Sequence, residues 1–252
     1  MKVSVILPSY NEEARLPNAL DKLIAYFSTT DLPYEIMVSA DGCTDQTEKI
    51  ASRYAAENQN ITLVSFPERL GKGGGILNAA GVATGDILIM MDVDLSVPPE
   101  QIIPTIRKME EEKADIIYGS RNLPESNILV ESPLHRKLLG KAFNFLFRLL
   151  FGIDLHDTQC GFKAVRKEVL ASLQRDLNIK GFAYDIDLAV EANRRGYKIV
   201  EMPVTWSHGA GSKVSALKQA IEMGHDLLTV WLEDKKREAQ ATDHRRYHDS
   251  IP

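Results

Sequence analysis

Cysteine is scarce in this chain. Cys43 and Cys160 are the only two, and neither has the spacing of a zinc site or a disulfide scaffold. Two separated thiols fit a reducing compartment. Long apolar runs are missing as well. The N-terminal stretch Met1–Pro8 is too short for a signal peptide, and no later stretch approaches about 18 uninterrupted apolar residues. The expectation is a chain that is soluble or peripheral and crosses no bilayer. A basic excess is also absent. The net charge of −5 gives the molecule as a whole no attraction to nucleic acid, so any anion site must be a local cluster. No internal repeat or convincing linker divides the 252 residues. They read as one domain over 1–235, followed by a charged tail over 236–252 that lacks apolar periodicity and is expected to be disordered.

What is present is an alternation of strand and helix. Strands are expected at Val3–Leu7, Tyr34–Ser39, Ile61–Phe66, Asp86–Met91 and Ala114–Tyr118. Helices are expected at Glu12–Phe27, Thr44–Glu57 (capped by Thr44 or Asp45) and Pro99–Glu112, with a short one after the glycine-rich turn near residue 72. The second half is less regular, with helices at Leu134–Phe151, Tyr184–Arg194 and Ser215–Glu233 and strands at Phe162–Val165 and Lys198–Glu201. Such alternation predicts an α/β fold with a mostly parallel sheet flanked by helices. Ligands of such sheets sit beyond the carboxyl ends of the strands. That rule selects Pro8–Glu12, Ala40–Asp45, Asp92–Ser96 and Gly119–Arg121.

These segments carry the chemistry. Asp92-Val93-Asp94 leaves an apolar strand with two carboxylates in reach of one hard cation, and Mg2+ or Mn2+ favours such ligands. Asp41 can accept hydrogen bonds from a nucleotide base edge; helix capping accounts for Thr44 or Asp45 but not for it. Arg69-Leu70-Gly71-Lys72-Gly73-Gly74-Gly75 is either a phosphate cradle before a helix or a flexible loop. Arg121 and Arg136 are candidates for gripping a second anion. Lys137, Lys141, Asn144 and Arg148 form one polar stripe on the Phe/Leu-rich helix Leu134–Phe151, which contains no acid. That pattern suits the headgroup boundary of an anionic membrane, or else a helix buried under the sheet or in a dimer.

As a set, Pro8-Ser9-Tyr10-Asn11-Glu12, Asp41-Gly42-Cys43-Thr44-Asp45 and Asp92-Val93-Asp94 resemble family-2 glycosyltransferases of the GT-A fold. Arg69–Gly74, Gly119-Ser120-Arg121, Asp157-Thr158-Gln159-Cys160-Gly161-Phe162-Lys163, Pro203–Trp206 and Gly211-Ser212-Lys213 resemble the dolichyl-phosphate glucosyltransferases more narrowly, and in part the dolichyl-phosphate mannosyltransferases. The resemblance implies that Pro8, Tyr10, Glu12 and Asp41 hold the nucleotide, with Lys72 on the donor side. It implies that Asp92 and Asp94 bind the Mg2+ or Mn2+ ion of the donor diphosphate, and that Ser96 stands where the mannosyltransferase branch has a further ligand. Arg121 and Arg136 would receive a lipid phosphate, Gln159 would lie on the acceptor-side loop, and Ser212 and Lys213 would lie over the phosphates. This chain departs from the pattern at Ala40, where the family has a first acid, and in showing no membrane anchor.

The expected activity is an inverting, metal-dependent transfer of a hexose, glucose from UDP-glucose, to a polyprenyl or dolichyl phosphate. Were the acceptor a sugar hydroxyl, a carboxylate base would be needed, and Asp185 or Asp187 would be the candidate. The expected place is the cytoplasmic face of a membrane, reached through Leu134–Phe151 and C-terminal amphipathic helices; a small membrane partner or self-association is compatible with it. Two rivals are a phosphatase of the haloacid dehalogenase type, read from Asp92–Ser96, and a non-catalytic sugar-nucleotide-binding subunit.

Overall fold

The computed structural model describes residues 1–131, 133–178, 181, 183–208 and 222–237. Strands β1 (Val3–Ser9), β2 (Tyr34–Asp41), β3 (Ile61–Phe66), β4 (Ile87–Met90), β5 (Ile116–Ser120), β7 (Lys163–Arg166) and β8 (Ile199–Pro203) form one sheet in the order β3-β2-β1-β4-β7-β5-β8. All neighbours are parallel except β7, which runs antiparallel to both β4 and β5. Two short strands missed in the sequence, β6 (Asn127–Val130) and β9 (Thr205–Ser207), pair beside the sheet.

Helices cover both faces. Val3, Val5 and Leu7 point to the side packed by α1 (Leu16–Phe27), α2 (Thr47–Glu57) and α4 (Ile102–Glu111). Ile6, Met37, Leu88 and Met90 point to the side packed by α3 (Lys72–Val82), α6 (Lys167–Leu173), α7 (Tyr184–Arg194) and Phe147 of α5 (Leu134–Phe151). A parallel sheet covered in this way needs apolar strands on both faces, which β1 supplies. Residues 222–237 are helical, so helix continues two residues past the expected end of the domain. Residues 215–221 of the expected Ser215–Glu233 helix, and 238–252 of the expected tail, lie outside the described residues.

Three local expectations need correction. Helix α1 starts at Leu16 rather than Glu12, because Glu12 turns back to bind Arg15 through both carboxylate oxygens. Helix α2 starts at Thr47, with Asp45 Oδ1 accepting the Thr47 N–H at 2.9 Å. The glycines 73–75 are not a loop before a helix: they are buried in the first turn of α3. A Cβ at Gly73 would lie 2.4 Å from Tyr184 Cβ, so Gly73 lets α3 lie flush against α7, while Gly75 faces Ser39 of β2.

Candidate active site

The reversed direction of β7 shapes the site. Parallel strands β1, β2, β4 and β5 deliver the segments that follow them to one edge. An antiparallel strand delivers the segment that precedes it. Residues 157–162 therefore arrive at the same edge as Asp92 and Arg121, and Lys163 lies between Met90 and Tyr118 in register.

On the donor side, Asp41 is buried and both its carboxylate oxygens accept backbone N–H groups, from Leu70 and from Gly71. It fixes the turn that opens α3, and each oxygen keeps a further lone pair for another donor. Tyr10, 39% exposed, carries the Arg69 guanidinium 3.8 Å from its ring centroid. Pro8 is half-buried near the end of β1, and the Glu12 carboxylate is engaged by Arg15.

Asp94 Oδ1 accepts from the Ser96 N–H at 2.9 Å and from its hydroxyl at 2.7 Å, closing a tight turn after Asp92. Lys72, the first residue of α3, places its ammonium 2.7 Å from Asp92 Oδ1. Enclosure works against charge on both groups, but their attraction outweighs it: the Lys72 pKa is raised and the Asp92 pKa is lowered, with Lys163 and Arg121 adding to the latter. Gly161 leaves room for the Asp92 carboxylate; a Cβ there would lie 1.9 Å from Oδ2. Among the described residues no group of three or more His, Cys, Asp and Glu could hold a metal. Asp92 and Asp94 thus fit an ion that Mg2+-like chemistry completes with water and substrate phosphates, and do not form an all-protein cage.

On the acceptor side, Arg121 grips Asp157 through Nε at 2.7 Å and Nη2 at 2.8 Å. Desolvation opposes the charge of both, but the pairing prevails, raising the Arg121 pKa and lowering that of Asp157. Arg121 is the expected anion grip; two of its five guanidinium N–H donors are committed to Asp157. Its guanidinium also lies 5.5 Å from the Trp206 ring centroid. Glu201, which no sequence signal marked, accepts the Asp157 N–H and pairs with His156 Nδ1, each at 2.9 Å.

A cleft opens beside this pair. Arg121, Arg136, Lys137, Lys141, Asn144, Trp206 and His208 line one part, and Arg148 and His156 extend it. The polar stripe of α5 therefore faces this cleft. The outward face of the helix is apolar, with Leu134, Leu138, Phe145 and Leu149 between 59% and 71% exposed. Trp206 also borders the small hollow beside Asp92, Ser96 and Gly161, so it joins the cleft to the carboxylate pair.

Asp185 is not poised as a base. It lies 3.0 Å from Lys163 in a pair only 6% and 1% exposed, and Asp187 accepts the Asn178 N–H. Gln159 has its Nε2 buried without a hydrogen-bond partner. Ser212 and Lys213 lie outside the described residues. Lys163 and Asp157 belong to a sequence stretch whose interest was plain, but their partners are far along the chain and no spacing reveals them.

The family model for glycosyl transferase family 2 matches residues 4–173, the segment that carries β1–β5, Asp92, Asp94 and the cleft helix. The chain belongs to glycosyl transferase family 2. Among its relatives in the family, glycosyltransferase AglD of Haloferax volcanii is 33% identical over 234 residues, covering 92% of this chain and 37% of that protein. The dolichyl-phosphate beta-glucosyltransferase of Homo sapiens is 30% identical over 247 residues, covering 92% of this chain and 75% of that protein. A structure of glucosyl-3-phosphoglycerate synthase from Mycobacterium tuberculosis, in complex with Mn2+, UDP-glucose and phosphoglyceric acid, matches with a TM-score of 0.68 at 20% identity, over 92% of this chain and 79% of that one. The last likeness establishes the GT-A architecture. Family and fold together displace the phosphatase reading of Asp92–Ser96.

Proposed function

We propose that this family-2 glycosyltransferase moves glucose from UDP-glucose, with inversion, onto a polyprenyl or dolichyl phosphate. The observation that carries the reading is the cationic cleft joined to Asp92 through Trp206. The dolichyl-phosphate glucosyltransferase relatives support it, as does the UDP-glucose complex of the structural neighbour.

A phosphate monoester acceptor is already largely ionised near neutral pH, since its second pKa is about 6. It needs positive charge to hold it rather than a base to activate it. Arg136 and Lys141 supply that charge, with Arg121 held in place by Asp157, while Lys137 is paired with Glu131 of the same cleft. A hydroxyl acceptor would need a free carboxylate, and Asp185 is locked to Lys163. On the donor side, Tyr10 and Arg69 frame the base, and Asp92 and Asp94 would hold Mg2+ or Mn2+. That ion would neutralise charge on the departing nucleoside diphosphate. Lys72 and the N-terminus of α3 face the same place.

The protein would work at the cytoplasmic face of a membrane, with the outward apolar side of α5 in the interface and the cleft at headgroup level. Among the described residues no helix is long and apolar enough to cross a membrane.

Radiolabelled UDP-glucose and GDP-mannose, polyprenyl phosphate in detergent and Mn2+ test the activity. Label should pass from UDP-glucose into the lipid phase, and Asp94→Ala or a chelator should reduce this at least ~1000-fold, several kcal/mol of charge stabilisation. Donor consumption with label on a sugar hydroxyl instead would overturn the acceptor assignment.

A further inference from the structure

Three cation–carboxylate pairs meet behind the site edge, and they differ in how firmly they are shut. Arg121 holds Asp157 with two hydrogen bonds, and Asp157 is 0% exposed. Lys163 and Asp185 are 1% and 6% exposed. Opening either would strand a charge in the interior. The Lys72–Asp92 pair is different: its side chains are 18% and 41% exposed, so an opened carboxylate meets solvent. Its cation is a flexible ammonium rather than a two-pronged guanidinium.

The geometry around Asp92 makes the pair informative. Oδ2 is backed by Gly161, where even a methyl group would collide. Oδ1 is the side approached by Lys72 Nζ at 2.7 Å. The ammonium thus occupies a position that a hard cation bound to Oδ1 would take. Lys72 is also the first residue of α3, whose start is pinned by Asp41 through Leu70 and Gly71. Its backbone is fixed, so any movement of the ammonium must come from rotation of its four-carbon stem.

We propose that Lys72 is a resident counter-ion that stands in for the divalent metal, and that its transfer from Asp92 to the donor diphosphate makes metal binding and nucleotide binding mutually dependent. This rests on the donor reading given above. Without a nucleotide, Lys72 must leave Asp92 with no new anion to receive it, so metal alone binds weakly. A diphosphate offers Lys72 a second partner and releases the carboxylate. By linkage, the factor by which the nucleotide tightens metal binding equals the factor by which metal tightens the nucleotide.

The test is a Mn2+ titration of the full chain followed by electron paramagnetic resonance, with and without UDP or GDP, and without sugar or acceptor. Wild-type protein should bind Mn2+ about 10-fold more tightly with its preferred nucleotide, within the usual range of coupling. Lys72→Met should bind Mn2+ alone about 10-fold more tightly than wild type and show correspondingly weaker coupling, keeping only the part that direct contact between metal and diphosphate supplies, whereas Lys72→Arg should keep weak binding of metal alone. Thermal melts establish that each variant folds; should Lys72→Met not fold, Lys72→Gln takes its place. Lys72→Met or Lys72→Gln binding Mn2+ alone no more tightly than wild type overturns the proposal, as does wild-type protein that binds Mn2+ equally well with and without nucleotide. A failed transfer assay with coupling intact would sink the acceptor assignment and leave this one standing.

Discussion

On the side of the sheet built from β1 to β4, several carboxylates are held by backbone N–H groups. Asp41 accepts from Leu70 and Gly71, Asp94 from Ser96, and Asp45 from Thr47. On the side built from β5 to β9 charged groups are held mainly by opposite charges: Arg121 by Asp157, Lys163 by Asp185, and His156, with the Asp157 N–H, by Glu201. The first side leaves Asp92 and Asp94 half-buried, within reach of new partners. The second buries its pairs and exposes a row of cations on α5. A nucleotide and its metal arrive with their own charges to be accommodated, whereas a lone phosphate asks only for a preformed positive cleft. The two sides are built to match.

The largest stability effect should come from the acceptor side. Arg121→Ala strands Asp157 in the interior and should cost about 3 kcal/mol, the low end for a broken buried pair because Arg121 keeps some exposure. Urea denaturation measures it. The corresponding Lys72→Met change on the donor side should cost about 1 kcal/mol, because the half-exposed Asp92 carboxylate it leaves can be hydrated. Equal losses would erase the distinction between the two sides.

A kinetic contrast comes next. Lys141→Ala with Arg148→Ala removes two cleft cations and should raise the KM for the lipid phosphate about 10-fold, or 1.4 kcal/mol. The KM for the nucleotide sugar should stay within about twofold. A matching rise in donor KM would mean that the cleft is not a separate acceptor site.

The smallest effect lies at the opposite end of the donor-side strands. Burial would raise the Glu35 pKa, but bonds from Ser4, the Thr84 N–H and Lys2 prevail and hold it at about 2. A carboxylate depressed when folded stabilises the protein above its unfolded pKa of about 4.3, and that contribution is lost as pH falls through about 2. Glu35→Gln should therefore lower Tm by a few degrees at pH 7 and close the gap to wild type near pH 2, read by thermal melts.

The same division governs how much the sequence revealed. Strand β3 and helices α5 and α7 begin and end at the expected residues, because uninterrupted periodicity needs no tertiary information. The donor-side segments were found by the rule that sites follow parallel strands, and Asp92 and Asp94 sit where it puts them. The acceptor side was less legible. Strands β6 and β9 are too short for a pattern, and α6 is only 7 residues long. The segment 157–162 stood out as a motif, yet its place in the site depends on the reversal of β7, which periodicity cannot show. Asp185 and Gly73 were misjudged for one reason: each is explained by a partner far along the chain, Lys163 in one case and Tyr184 in the other.

Trp206 has a consequence of another kind. The chain has two tryptophans, and this one touches both the cleft and the hollow beside Asp92. With Trp231→Phe, the remaining indole becomes a native optical probe set between the two substrates. Paramagnetic Mn2+ near Asp92 should quench its emission, and a phosphate entering beside Arg121 should shift it. The order in which donor and acceptor arrive could then be followed in real time, without a label on either.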